Sequence, residues 1–239
     1  MGTFGKQIGG WKPSISEEKI IDILSHTKFH KTNSEEAQST MFFMKFKEMY
    51  NGIPVFSKYT SSDTEKLTQC FEWLEFDVQK DGRTIEGYEH KNSNDPMEFT
   101  FKSYKINSII FTLLNNDSLK TISTIDGEIG FAELEDEYKE ISNFEKIEFT
   151  EVSPYTLDGE FTEIALEGSV YNKWKENAIS TKLMTTEFVN KIMEGRFNDF
   201  KIYRTTECWS GYILGYFIAY FLFDSKKGDI WILSKDDYD

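Results

Sequence analysis

Cysteine is nearly absent: the chain has two in 239 residues, Cys70 and Cys208. They stand far apart and in no Cys-x-x-Cys or other metal-ligand spacing. The expectation is two buried thiols in a reducing cytoplasm, with one long-range disulfide as the alternative. Histidine is almost as scarce, with only His26, His30 and His90. His26 and His30 are four apart, as zinc ligands on one helix face can be. They fall at a predicted helix end beside Lys28 and Lys31, with no His-Glu-x-x-His pattern, so solvated residues are expected and no metal. His90, beside Glu89, reads as a surface residue.

Proline is also rare, at four residues, and this argues against a disordered or low-complexity chain. Catalytic signatures are missing as well. There is no Gly-x-Ser-x-Gly elbow, no P-loop and no Gly-x-Gly-x-x-Gly, and Gly9-Gly10-Trp11 is too short to cradle a phosphate. Cys208 has no histidine nearby in sequence to activate it. No catalytic residue, cofactor or metal is therefore assigned. The start, MGTFGKQIGGWKP, lacks an apolar signal region, and Lys6 stands where a myristoylation pattern needs Ser or Thr. The longest uncharged run, Cys208 to Phe223, is shorter than the ~18 residues a spanning helix needs. Its two alternation classes are both apolar, so it reads as a strand buried on both faces, with a buried helix as the rival. A cytoplasmic location is expected.

Positive charge is in short supply. Lysine and arginine total 27 against 41 acidic residues, a net charge of −14. This disfavours direct contact with nucleic acid or an anionic membrane. Residues 126 to 167 hold fourteen acids against Lys139 and Lys146, so twelve of the fourteen net charges lie there. Charge so concentrated creates a local negative field that steers a basic partner. The candidate partner-binding carboxylates are Glu128, Glu133, Glu135, Asp136, Glu137, Glu140, Glu148 and Glu163, expected in rows on the outer face of a sheet. A charged sheet face that merely blocks aggregation is the plainer reading. A calcium loop at Glu133–Glu137 lacks the ligand pattern and the turn glycine. Trp174, flanked by polar residues, is the candidate exposed anchor.

What the chain has in quantity is aromatic residues, 21 Phe and 12 Tyr among them, which favours strands. The predicted class is α+β: an antiparallel sheet of hairpins and meanders, about three helices near the N-terminus and one near 185–195. The first helix opens at Ser14 or Ser16, the second spans 33–50 and the third 62–75. Hairpins are expected at Asp81-Gly82 and Asp126-Gly127. Period-two alternation over 97–172 predicts the meander, including Ile106–Leu114, Ile147–Val152 and Phe161–Leu166 with a turn at Asp158-Gly159. Phe200–Tyr203 and Ile230–Leu233 are further strands. One domain is expected, with a weak joint near 92–96.

The function these features favour is an acidic cytoplasmic protein that binds and neutralises a basic protein, as a toxin-immunity protein or a phage-type inhibitor of a nucleic-acid enzyme does. A hydrolase with a dispersed carboxylate site is one alternative. A homo-oligomer assembled through the aromatic C-terminal strands is the other.

Overall fold

Ile218–Asp224 and Ile230–Lys235 carry apolar side chains at odd and even positions alike, and every residue of both strands is buried. Only a sheet covered on both faces accommodates such strands. The computed structural model describes residues 15–32, 34–50, 55–74, 104–120, 134–170, 172–209 and 217–235. It places those two strands at the centre of a six-stranded antiparallel sheet. The strands are β1 (His30–Thr32), β2 (Val55–Thr60), β3 (Thr150–Val152), β4 (Phe200–Thr205), β5 (Ile218–Asp224) and β6 (Ile230–Lys235). Their order is β1-β2-β6-β5-β4-β3, so β1 and β3 are the edges. The α+β class with an antiparallel sheet is what the structure shows.

Period-two alternation splits each strand between two cores. Tyr59, Tyr203, Phe221, Phe223 and Ile232 face the first, under α1 (Glu17–His26), α4 (Thr64–Leu74) and α5 (Tyr104–Leu114). Phe56, Ile202, Tyr220, Leu222 and Leu233 face the second. There α2 (Glu35–Gln38), α3 (Met41–Met49), α7 (Leu157–Glu167) and α8 (Ala178–Met193) pack, while the short α6 (Ile141–Phe144) belongs to the first layer. The result is helix, sheet, helix in three layers. Among the described residues no helix is long and apolar enough to cross a membrane.

Local chemistry explains the helix ends. Ser16 Oγ accepts from Lys19 N–H at 3.3 Å, and Asn177 Oδ1 from Ser180 N–H at 2.9 Å. Both satisfy amides that a helix start leaves open. The expected 33–50 helix is instead two, broken at Ser39-Thr40, because Thr40 caps the second by accepting from Phe43 N–H at 3.4 Å. The helix expected near 185–195 starts at Ala178 and ends where Glu194 and Gly195 turn left-handed, at φ 53° and 76°.

The predicted meander is corrected. Ile106–Leu114 lies in α5, and Phe161–Leu166 in α7. Asp158-Gly159 is the first turn of α7, not a hairpin tip. Of Ile147–Val152 only Thr150–Val152 is strand. The turn at Asp81-Gly82, the hairpin at Asp126-Gly127 and the joint near 92–96 lie outside the described residues. Strands β1 and β2 were not anticipated. The run ending at Phe223 is strand from Ile218 onward.

Asn116 fastens the first layer. Its Nδ2 donates to the carbonyls of Leu24 at 2.8 Å and Thr27 at 2.9 Å, where α1 ends. Its Oδ1 accepts from Ser118 N–H at 2.9 Å, starting the next helical turn. The residue is 3% exposed, so water cannot replace it. Asn116→Ala is expected to cost about 1–3 kcal/mol, read as a lowered urea midpoint.

Candidate functional site

The segment from Leu134 to Phe149 alternates anchors with charges. Leu134, Phe144, Ile147 and Phe149 are buried in the first core, so the acids between them must face water. Asn107, on α5, secures the segment from beneath: its Nδ2 donates to the carbonyls of Phe144 at 3.1 Å and Ile147 at 2.8 Å. Glu135 N–H donates to Trp209 O at 2.9 Å, and Asn143 Nδ2 to Glu137 O at 2.9 Å. The backbone therefore folds into a fixed knuckle, a 3-10 turn at Asp136–Lys139 followed by α6.

Glu135, Asp136, Glu137, Glu140, Glu145 and Glu148 are all exposed on this knuckle. Glu207 joins them from beyond β4, its Oε2 accepting from Glu148 N–H at 3.1 Å. Seven carboxylates thus face Lys139 and Lys146, leaving an excess of five negative charges. Tyr138 reports their proximity. Burial first, then Glu137, Glu207 and Glu135, push its phenol pKa up. Asp136 is held below the usual carboxylate range by the Lys139 ammonium at 2.5 Å, but both side chains are largely exposed, so the pair adds little stability. Glu135, Glu137, Glu140, Glu145 and Glu148 have no ion-pair partner among the described residues.

The structure brings together only part of the sequence-predicted set. Glu163 is exposed on α7, in the layer across the sheet, and belongs to another face. Glu128 and Glu133 lie outside the described residues. Trp174 is no free anchor: it is half-buried against the second core, 5.9 Å from the Phe42 ring, and its Nε1 donates to Thr181 Oγ1 at 2.7 Å. Its polar neighbours concealed a tryptophan that packs inward. Among the described residues, the carboxylates expected in rows on a sheet face stand instead on a knuckle and a helix. Glu207 had no local signal; the antiparallel register, with Thr150 opposite Arg204, is what delivers it.

The remaining polar groups look structural. Glu160 Oε2 accepts from Arg204 at 3.0 Å and from the Tyr220 hydroxyl at 2.9 Å, beneath α7. Asp158 would be raised by burial, yet Lys182 and Thr186 outweigh this and hold its pKa low. Among the described residues every carboxylate with a resolved shift, Asp22, Asp136, Asp158, Glu194 and Asp224, is lowered. A general acid needs the opposite. Cys70 is buried, its thiol pushed up to about 12 by burial, Cys208 is half-buried, and the two form no disulfide. His26 ends α1, with Nδ1 2.8 Å from Asp22 O, and His30 belongs to β1, so the two share no helix face. Among the described residues no group of three His, Cys, Asp or Glu is placed to hold a metal ion.

The chain matches no protein-family model, and no curated protein or solved structure is significantly similar to it.

Proposed function

We propose that the chain binds a cationic protein through the acidic knuckle and neutralises it, as an immunity protein or an inhibitor of a nucleic-acid enzyme does. The observation that carries this reading is the convergence of Glu135, Glu137 and Glu207 around Tyr138, with Glu207 also accepting from Glu148 N–H, on a backbone anchored in the core. Five of the knuckle's carboxylates have no ion-pair partner among the described residues, which leaves their field directed outward. A basic patch that normally grips phosphates would meet carboxylates in their place, and the bulk behind the knuckle would block access. The hydrolase alternative lacks a raised carboxylate among the described residues. The homo-oligomer alternative gains no support from β5 and β6, which are buried on both faces within the chain.

The test is capture of basic proteins by the wild type and by Glu135→Lys/Asp136→Lys/Glu137→Lys, at low and high salt. Reversal is expected to weaken capture roughly 10- to 100-fold at low salt, and added salt to weaken the wild type alone. Tight binding that ignores both salt and charge reversal would sink the proposal.

A further inference from the structure

Beyond β3 from the knuckle, a surface cleft of about 390 Å³ opens between the turn at Ser153–Tyr155 and the start of β4. One wall is an aromatic pair. Tyr155 lies on Phe197 with centroids 5.5 Å apart and planes 16° apart, and its hydroxyl donates to Asn198 Oδ1 at 2.6 Å. Stacking from behind and a hydrogen bond at the tip fix the ring, yet Tyr155 is 61% exposed. A ring so held and so open adds little to the core and forms a ready contact surface. Glu151 also lines the cleft, its carboxylate 3.6 Å from Lys201 Nζ, a loose pair in which both side chains are partly exposed.

We propose that this cleft receives an arginine side chain from the partner protein. The guanidinium plane lies over the free face of Tyr155, and its N–H fork meets the Glu151 carboxylate. This rests on the cationic-partner reading above and adds which residue type is gripped, and where. Guanidinium stacks on aromatic rings and donates two parallel hydrogen bonds to a carboxylate; an ammonium does neither. The wall and the acid are therefore matched to arginine over lysine. Lys201 is the internal competitor: it already sits at Glu151, but at a distance a forked donor improves on. Glu151 stands three residues past Glu148, about 10 Å of extended chain, so one basic surface can reach both cleft and knuckle.

The test titrates the full chain with N-acetylarginine amide, N-acetyllysine amide and methyl glucoside, following the Tyr155 ring signals by NMR. The arginine probe is expected to bind on the order of 1 mM, and the lysine probe roughly threefold or more weaker. Tyr155→Ala and Glu151→Gln should each weaken arginine roughly three- to tenfold. Lys201→Ala should tighten it, a gain that a merely structural role for Tyr155 does not explain. Equal binding of lysine and arginine, preference for the glucoside, no shift at Tyr155, or no gain in Lys201→Ala would each overturn the assignment. Neutralising the knuckle with Glu135→Gln/Glu137→Gln should leave the arginine titration unchanged. Arginine binding without salt-sensitive capture would thus remove the proposed function and keep the cleft; the reverse result would remove the cleft alone.

Discussion

Asp224→Ala is expected to destabilise the fold by about 3–5 kcal/mol, the range for stripping one partner from a buried ion pair. The side chain is 1% exposed at the end of β5. Arg196 forks onto it, one nitrogen 3.1 Å from Oδ1 and the other 2.6 Å from Oδ2. The backbone N–H groups of Lys226 and Lys227 each donate to Oδ1 at 3.0 Å. Four donors thus converge on one carboxylate, which ties the end of α8 to the β5–β6 turn. Gly228 completes that turn at φ +67°, where a Cβ would stand 3.0 Å from Thr64 O. Alanine at 224 removes the acceptor and leaves Arg196 with Asp199, at 3.4 Å, and Glu194, at 3.9 Å, as its ion-pair partners among the described residues. A paired Arg196→Met/Asp224→Leu replacement should recover only part of the loss, because Arg196 keeps two carboxylates nearby and the Lys226 and Lys227 amides still lose their acceptor. Urea unfolding of the two single variants and the double variant checks both statements.

The same carboxylate sets a pH dependence. Burial alone would raise the Asp224 pKa; the Arg196 fork and the two amides outweigh it and hold the value below the usual range. A folded-state pKa below the unfolded one means the contribution is fully present above about pH 4 and is lost as pH falls through the folded value. The stability gap between wild type and Asp224→Ala should therefore stay level from about pH 5 to 8 and narrow in stronger acid. A gap that widened on acidification would contradict the assigned direction.

The legibility of this chain followed periodicity, and failed where residue type was weighed above it. Ile106, Ile109, Ile110, Leu113 and Leu114 recur at helical spacing, and all are buried. Their β-branched, nearly continuous character suggested a strand, yet the spacing held the answer. Leu157, Phe161, Ile164 and Ala165 repeat the lesson in α7, where Asp158-Gly159 imitated a hairpin turn. Central strands were readable because both alternation classes were apolar, as at Ile218–Phe223. For the site, the exposure of Glu135, Asp136 and Glu137 was legible, since charge without a buried partner stays in water. What charge counting does not contain is direction. The sheet divides the chain's helices into two layers, so Glu163 parts from the knuckle although only fifteen positions separate it from Glu148. Glu207 arrives through strand pairing, which no local pattern encodes.

Phe188→Ala is expected to cost about 3–5 kcal/mol, and the geometry argues for the upper half of that range. Phe188 is fully buried on α8. Its ring lies 5.2 Å from Phe42, 5.9 Å from Phe43, 5.1 Å from Phe56 and 5.7 Å from Phe161. Those four rings come from α3, β2 and α7, so no single element can move in to fill the space. The penalty of a large-to-small substitution grows with the void that remains, and here the void is bounded by three separately anchored elements. Phe188→Leu keeps most of the volume and should cost clearly less. For a chain of this length the alanine loss corresponds to a fall in Tm of about 10 °C or more. Urea unfolding should show a lower midpoint with an unchanged slope. Because Phe188 lies in the second core and the knuckle rests on the first, its loss should add to Asn116→Ala without coupling. A strong coupling between them would mean the sheet transmits strain between its two faces instead of separating them.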